Sequence, residues 1–194
     1  MTNVICPPPI TRRAVAAGTL AVIAAAGPLA AVPAHAASAE QLVANARRAL
    51  DQLLASEPRA RRVARRAVAV LVFPSVLKAG FVFGGETGNG VLFEHGRPVA
   101  FYNLTGGSWG LQIGGQDFSY ALFFMNRGAL DYLNRSAGFQ VGTGPSIVVI
   151  NKGAAAQADT TTLTQDVYAF PFNQKGLMAG LDIEGAKITR IHKH

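Results

Sequence analysis

The chain is poor in the residues that carry covalent and metal chemistry. Among 194 residues there is one cysteine, Cys6, one tryptophan and four histidines. A lone cysteine excludes an intrachain disulfide framework, and no Cys-x-x-Cys spacing exists to hold a structural zinc. Cys6 also precedes the long uncharged run instead of following it, the wrong side for a lipid-anchoring cysteine. His192 and His194 flank Lys193, but no third ligand is suitably spaced, so no metal site is expected. The carboxylates from Glu86 to Glu184 are scattered and form no acid/base pair. Neither a metal nor a cofactor is expected.

Charge is missing near the N-terminus. Ala14 to Ala34 contains no charged residue, Arg12 and Arg13 precede it, and Ala34-His35-Ala36 closes it with an A-x-A site. The pattern predicts a removable export signal over residues 1–36. Thr11-Arg12-Arg13-Ala14-Val15 also resembles a twin-arginine signal, so ordinary and twin-arginine export both stay open. The alanine-rich core, broken at Gly27-Pro28, is poor material for a permanent membrane span. The expected destination is the periplasm or the medium. Residues 37–194 amount to one domain, long enough to bury about 70% of its unfolded surface without staples.

Acid is scarce in one further stretch. Residues 40–78 hold eight basic residues against three acidic ones, whereas residues 79–194 hold eight of each. The positive excess is confined to the first quarter of the domain, which bears on partners and not on fold.

What is present divides into helix and strand patterns. "SAEQLVANARRALDQLLAS" reads as a helix: Ser38 and Gln41 form a capping box, and Leu42, Ala46, Ala49, Leu50 and Leu53 follow the 3.6 period. This helix is assigned to residues 37–57, ahead of a main domain over 58–194. Ser56-Glu57-Pro58 predicts the start of a second, short helix. On its wheel Arg59, Arg61, Arg62, Arg65 and Arg66 share one arc, opposite Ala60, Val63, Ala64 and Ala67. Strands follow. Val68 to Phe73 reads as a buried strand ended by Pro74. Asn89-Gly90 and His95-Gly96-Arg97-Pro98 read as hairpin turns. "FSYALFFM" is another strand, after which Asn126 caps a helix near 127–135. "SIVVI", "VYAFPF" and "GLMAGLDIEGAKITRI" complete the set. Gly80 to Gly84, Gly110 to Gly114, Gly138 to Gly142 and Gly180 to Glu184 each read glycine, apolar, variable, apolar and then usually glycine, an alternation that suits half-buried strands. Their glycines permit bends, so the sheet is expected to be antiparallel, twisted and able to curl toward a barrel. The fold class is α+β: two N-terminal helices, a glycine-rich twisted sheet and one inserted helix.

Two motifs invite a chemical reading. Gly106-Gly107-Ser108-Trp109-Gly110 matches G-x-S-x-G, the nucleophile elbow of serine hydrolases. The elbow needs a helix after the serine, and "GLQIGGQDFSY" is too rich in glycine for one, each glycine costing about 1 kcal/mol relative to alanine. Ser108 is therefore expected in a turn of a Gly-Gly-Ser loop, with a Ser108 hydrolase as the alternative function. "GGETGNG" lacks the Gly-Lys-Ser/Thr of a phosphate-binding loop, and a hairpin explains it better.

The arginine arc is the one concentrated chemistry. Nucleic acid is not expected as a partner, because the segment has no aromatic residues to stack bases. An anionic phospholipid surface suits both the charge and an exported chain, each basic residue near it being worth about 1 kcal/mol. A structural envelope protein that binds another protein is the third reading, with the arginines serving solubility.

"AVAVLVFPSVLKAGFVFGGETGNGVL", "GGSWGLQIGGQ", "ALFFMNRGALDYL" and "GLMAGLDIEGAKI", in that order, resemble the blocks of the SYLF domain family. The resemblance covers about Pro58 to Ile191. It implies a lipid-binding module and not an enzyme. Its eukaryotic members bind phosphoinositides and some bind actin, with an N-terminal amphipathic helix and basic residues in contact with lipid. Pro58 to Arg66 and Lys78 match that basic region by position. The resemblance therefore implies Arg59, Arg61, Arg62, Arg65, Arg66 and Lys78 as lipid contacts, with generic anionic phospholipid as the ligand of an exported member.

Overall fold

The computed structural model describes residues 38–80, 83–109, 114–135, 139–140, 144–150, 164–176 and 186–193. The expected export signal and the Gly180 to Glu184 unit lie outside them. The elements in order are α1 (Ala39–Ser56), α2 (Pro58–Ala64), β1 (Ala69–Gly80), β2 (Phe83–Glu94), β3 (Arg97–Trp109), β4 (Gly114–Phe124), α3 (Arg127–Arg135), β5 (Phe139–Gln140), β6 (Ile147–Val149), β7 (Val167–Gly176) and β8 (Lys187–Ile191). Among the described residues no helix is long and apolar enough to cross a membrane.

Local chemistry sets the helices where the sequence placed them. Ser38 and Gln41 form the reciprocal capping box of α1, which satisfies two backbone donors that would otherwise be orphaned. Leu42, Ala46, Ala49 and Leu53 are its buried stripe. Glu57 caps α2 through the Arg59 N–H, with Pro58 in the first turn. Asn126 Oδ1 accepts from the Ala129 N–H at 2.9 Å and starts α3.

The eight described strands form one sheet, in the order β5-β8-β3-β2-β1-β4-β7-β6. Every pair is antiparallel except β6 with β7. The two edge strands, β5 and β6, are neighbours in the chain, Gln140 and Ile147 being joined by residues 141–146. Fully extended, that link spans at most about 25 Å. A flat sheet of this many strands would hold its edges about 34 Å apart. The sheet must therefore curl, as the glycine-rich sequence implied, and the fold is α+β with a twisted, barrel-like sheet.

The two faces have separate cores. Leu71, Phe73, Val76, Leu92, Tyr102, Leu104, Phe118, Tyr120, Leu122 and Phe124 pack on the inner face with Leu130 and Leu133 of α3. Val72, Val91, Phe93, Ala121, Phe123 and Phe170 pack on the outer face beneath α1 and α2. Beyond the helices, Leu77 on the outer face is 54% exposed.

Three strand readings need correction. Pro74 does not end β1. The strand is paired on both sides, where a proline would break the ladder, but its register shifts between Phe73 and Val76, so Pro74 sits in a bulge. Ser119 Oγ donates to the Pro74 carbonyl at 2.8 Å. The bulge also inverts the alternation. Counting by twos from inward-facing Phe73 would put Leu77 inside and Lys78 outside, yet Leu77 is exposed and Lys78 is buried.

Asn89-Gly90 is not a turn but lies within β2, opposite Asn103 and Tyr102. The turn is at His95 and Gly96, both with positive φ (50° and 76°), as a two-residue hairpin requires. Gly80 and Gly84 do not share one strand: Gly80 ends β1, Gly84 lies in β2, and the two pair with each other.

Candidate functional site

The basic segment forms an exposed ledge on the outer core. Ala60 and Val63 of α2 are buried, which anchors the helix and turns the other arc to solvent. Arg61 and Arg62 lie in the last turn of α2, and Arg65 and Arg66 directly follow it. All four are exposed. Arg59 differs. Its Nε lies 3.0 Å from Glu57 Oε1, with only 19% of its side chain exposed, so it is tied to the residue that caps its own helix. The sequence spacing found the arc but not this pairing.

Lys78 does not join the ledge. It is 2% exposed and points to the inner face. The expectation that it shares the arginines' surface is not met, because the β1 bulge turns it inward.

Beside the ledge, α1, the end of α2 and the β2–β3 turn enclose a groove of about 310 Å³. Leu50, Val68, Val70 and Phe93 supply apolar walls, while Arg47, Asp51 and His95 stand at the polar side. The Arg47 guanidinium sits 5.3 Å from the centroid of the Phe93 ring, a cation–π contact that holds the charge at the groove. Sequence reading gave Arg47 no part. Its signal was available only as its place in α1, and Phe93 is distant along the chain.

Among the described residues the hydrolase geometry is absent. Ser108 is not in a turn, as expected, but within β3, paired with Gly84. Only residues 110–113 separate β3 from β4, too few for the helix an elbow needs. His95 stands at the opposite end of β3, about 40 Å away at strand rise. His192 follows Ile191, which pairs with Phe101, about 25 Å from Ser108 by the same measure. Neither described imidazole lies near position 108 of β3. "GGETGNG" lies in strand β2 and offers no phosphate loop. Among the described residues, no three His, Cys, Asp or Glu converge on a metal-sized point.

Among the described residues, several polar groups of the inner face are perturbed or unsatisfied. Tyr120 is fully buried; burial first, then the Glu86 charge, pushes its hydroxyl well above the usual phenol value. Tyr102 is raised by burial, drawn back by Arg190 and raised by Glu94, and its hydroxyl donates to Asn134 Oδ1 at 2.7 Å. Gln116 is 3% exposed, and its Oε1 has no hydrogen-bond partner among the described residues.

Residues 105–193 match the family model described as Ysc84, Las17-binding protein actin regulator, which is the SYLF domain. The match begins inside β3 and covers the remaining elements of the sheet. No curated protein matches the chain.

Proposed function

Since residues 105–193 match the SYLF family model, we propose that the chain is a non-enzymatic, lipid-associating protein of the cell envelope. The family is associated with lipid and actin binding. In this reading the chain is exported, and it meets anionic phospholipid headgroups through Arg61, Arg62, Arg65 and Arg66. Arg59 contributes less, because Glu57 already neutralises it.

One observation carries the reading. Four exposed arginines sit together at the end of a helix whose other side is locked into the core, and among the described residues none of the four has an acidic partner. A ledge built this way presents the charge on an already ordered backbone, so that only side-chain rotamers are fixed on binding. At about 1 kcal/mol per arginine near an anionic surface, the four supply at most about 4 kcal/mol. That is a weak attachment, screened as ionic strength rises. The groove at Arg47 and Phe93 extends the same cationic face. It offers an apolar wall on which the first methylenes below a headgroup could rest.

Co-sedimentation with vesicles tests the proposal. Binding is expected to phosphatidylglycerol-containing vesicles, not to purely zwitterionic ones, and to fall with salt. Binding indifferent to both charge and salt would sink it.

A further inference from the structure

Lys78 belongs to a row of side chains that runs across the inner face. In register, Gly106 of β3 stands opposite Glu86 of β2, Glu86 opposite Lys78 of β1, and Lys78 opposite Gln116 of β4. Directly opposed residues share a face, with Cβ atoms about 5 Å apart. The next row toward the helices, Leu104, Gly88, Val76 and Phe118, is core. The next row the other way is Ser108, Gly84, Gly80 and Gly114, in which three of the four positions carry no side chain. Polar groups thus lie where the apolar core stops and a glycine floor begins.

The row is buried: Lys78 is 2% exposed, Gln116 3% and Glu86 7%. Glu86 lies over Gly106, where an added Cβ would be 2.7 Å from Oε1, so position 106 must be glycine for the carboxylate to lie there. Tyr120, two inward positions along β4 from Gln116, brings a hydroxyl close enough to feel the Glu86 charge. Gln116 Oε1 and Tyr120 Oη have no hydrogen-bond partner among the described residues, and no ion pair of Lys78 is formed there either. Native folds seldom leave such atoms unspent.

We propose that Lys78, Tyr120 and Gln116 form a second binding site, on the inner face, for a small oxyanion of the phosphate class. The donors fix the sign: an ammonium and a phenol both give hydrogen bonds to an anion. Gln116 Oε1 selects among anions, because it can only accept. A hydrogen phosphate or phosphomonoester accepts from Lys78 and Tyr120 and donates its own P–OH to Gln116. Sulfate and carboxylate at neutral pH have no proton to donate. The site does not depend on the arginine ledge, which lies on the outer side of the sheet.

The test titrates the folded chain with inorganic phosphate and, in parallel, with sulfate, read by calorimetry and by thermal unfolding. Phosphate is expected to bind saturably and to raise the unfolding temperature, and sulfate to be at least tenfold weaker. Tyr120→Phe keeps the ring and removes only the hydroxyl, and Gln116→Leu removes the carboxamide, its Oε1 acceptor included. Each should weaken phosphate tenfold or more. A folded Tyr120→Phe that binds phosphate like the parent, equal binding of sulfate, or no saturable binding at all overturns the site. Reversal of Arg61, Arg62, Arg65 and Arg66 to glutamate should leave phosphate binding unchanged; loss there would put the anion on the ledge and overturn it too. Dihexanoyl phosphatidic acid below its micelle concentration separates the sources. Binding tenfold tighter than phosphate marks a lipid headgroup, and equal binding marks free phosphate, either one in support of the site.

Discussion

The ring of Phe73 occupies the space that a side chain on residue 90 would need: a Cβ built on Gly90 would lie 2.6 Å from Phe73 Cδ1. The two residues sit on neighbouring central strands, next to the bulge at Pro74. Gly90 is therefore a packing glycine. Its neighbour Asn89 takes a hydrogen bond from Asn103 Nδ2 at 3.1 Å, which ties β2 to β3 instead of reversing the chain.

Gly90→Ala is expected to destabilise the fold by about 1–3 kcal/mol, the usual cost of overpacking a filled core. Urea denaturation at neutral pH reads it. A change under 0.5 kcal/mol, about the scale of an indifferent surface substitution, would mean that Phe73 can move aside.

Reversing Arg61, Arg62, Arg65 and Arg66 together to glutamate should abolish sedimentation with anionic vesicles while circular dichroism stays unchanged, since all four are exposed. Each single reversal should weaken partitioning about fivefold to thirtyfold, for a loss of about 1–2 kcal/mol. Arg59→Glu should behave differently, because it sets two carboxylates against each other at the cap of α2. Its signature is a loss of stability as well as of binding.

Asp166 links three element starts. It accepts from Asn126 Nδ2 before α3, and from the Ser146 N–H and hydroxyl before β6, while β7 begins beside it. The Ser146 backbone bond, then the side-chain bonds from Asn126 and Ser146, hold its carboxyl below the ordinary value of 3.8. A depressed folded pKa gives stability that is fully present above that ordinary value and is lost as pH falls through the folded value. Asp166→Ala should therefore lower stability at pH 7, by about 1 kcal/mol. The gap between parent and variant should close on acidification below pH 3.8. A gap that persists unchanged at low pH would assign the effect to packing.

Ser108 within a paired strand predicts no acyl-enzyme chemistry. A fluorophosphonate probe should leave the chain unlabelled, and Ser108→Ala should change no esterase activity above background. Specific labelling at Ser108 would overturn the non-enzymatic reading.

Much of this was legible in the chain alone because it rests on short-range contacts. The Ser38–Gln41 box, Pro58 at the start of α2, the Asn126 cap and the His95-Gly96 turn each satisfy hydrogen bonds within a few residues. The residues that do it are adjacent in the string. The buried stripe of α1 follows from the 3.6 period in the same way. The arginine arc was legible as well, although the tie between Arg59 and Glu57 was not.

Sequence alone thus determined the helices, the broad α+β class and the separation of a basic N-terminal quarter from the rest. Tertiary structure decided what the glycines are for and which way Lys78 faces. Gly90 mimics a turn residue until the Phe73 ring is placed beside it. Lys78 reads as a surface cation until the bulge at Pro74, imposed by pairing with β2 and β4, exchanges it with Leu77. The physical reason is the two-residue period of a strand. A single inserted position reverses every side chain beyond it, and only the partner strands, far away along the chain, show where that insertion falls.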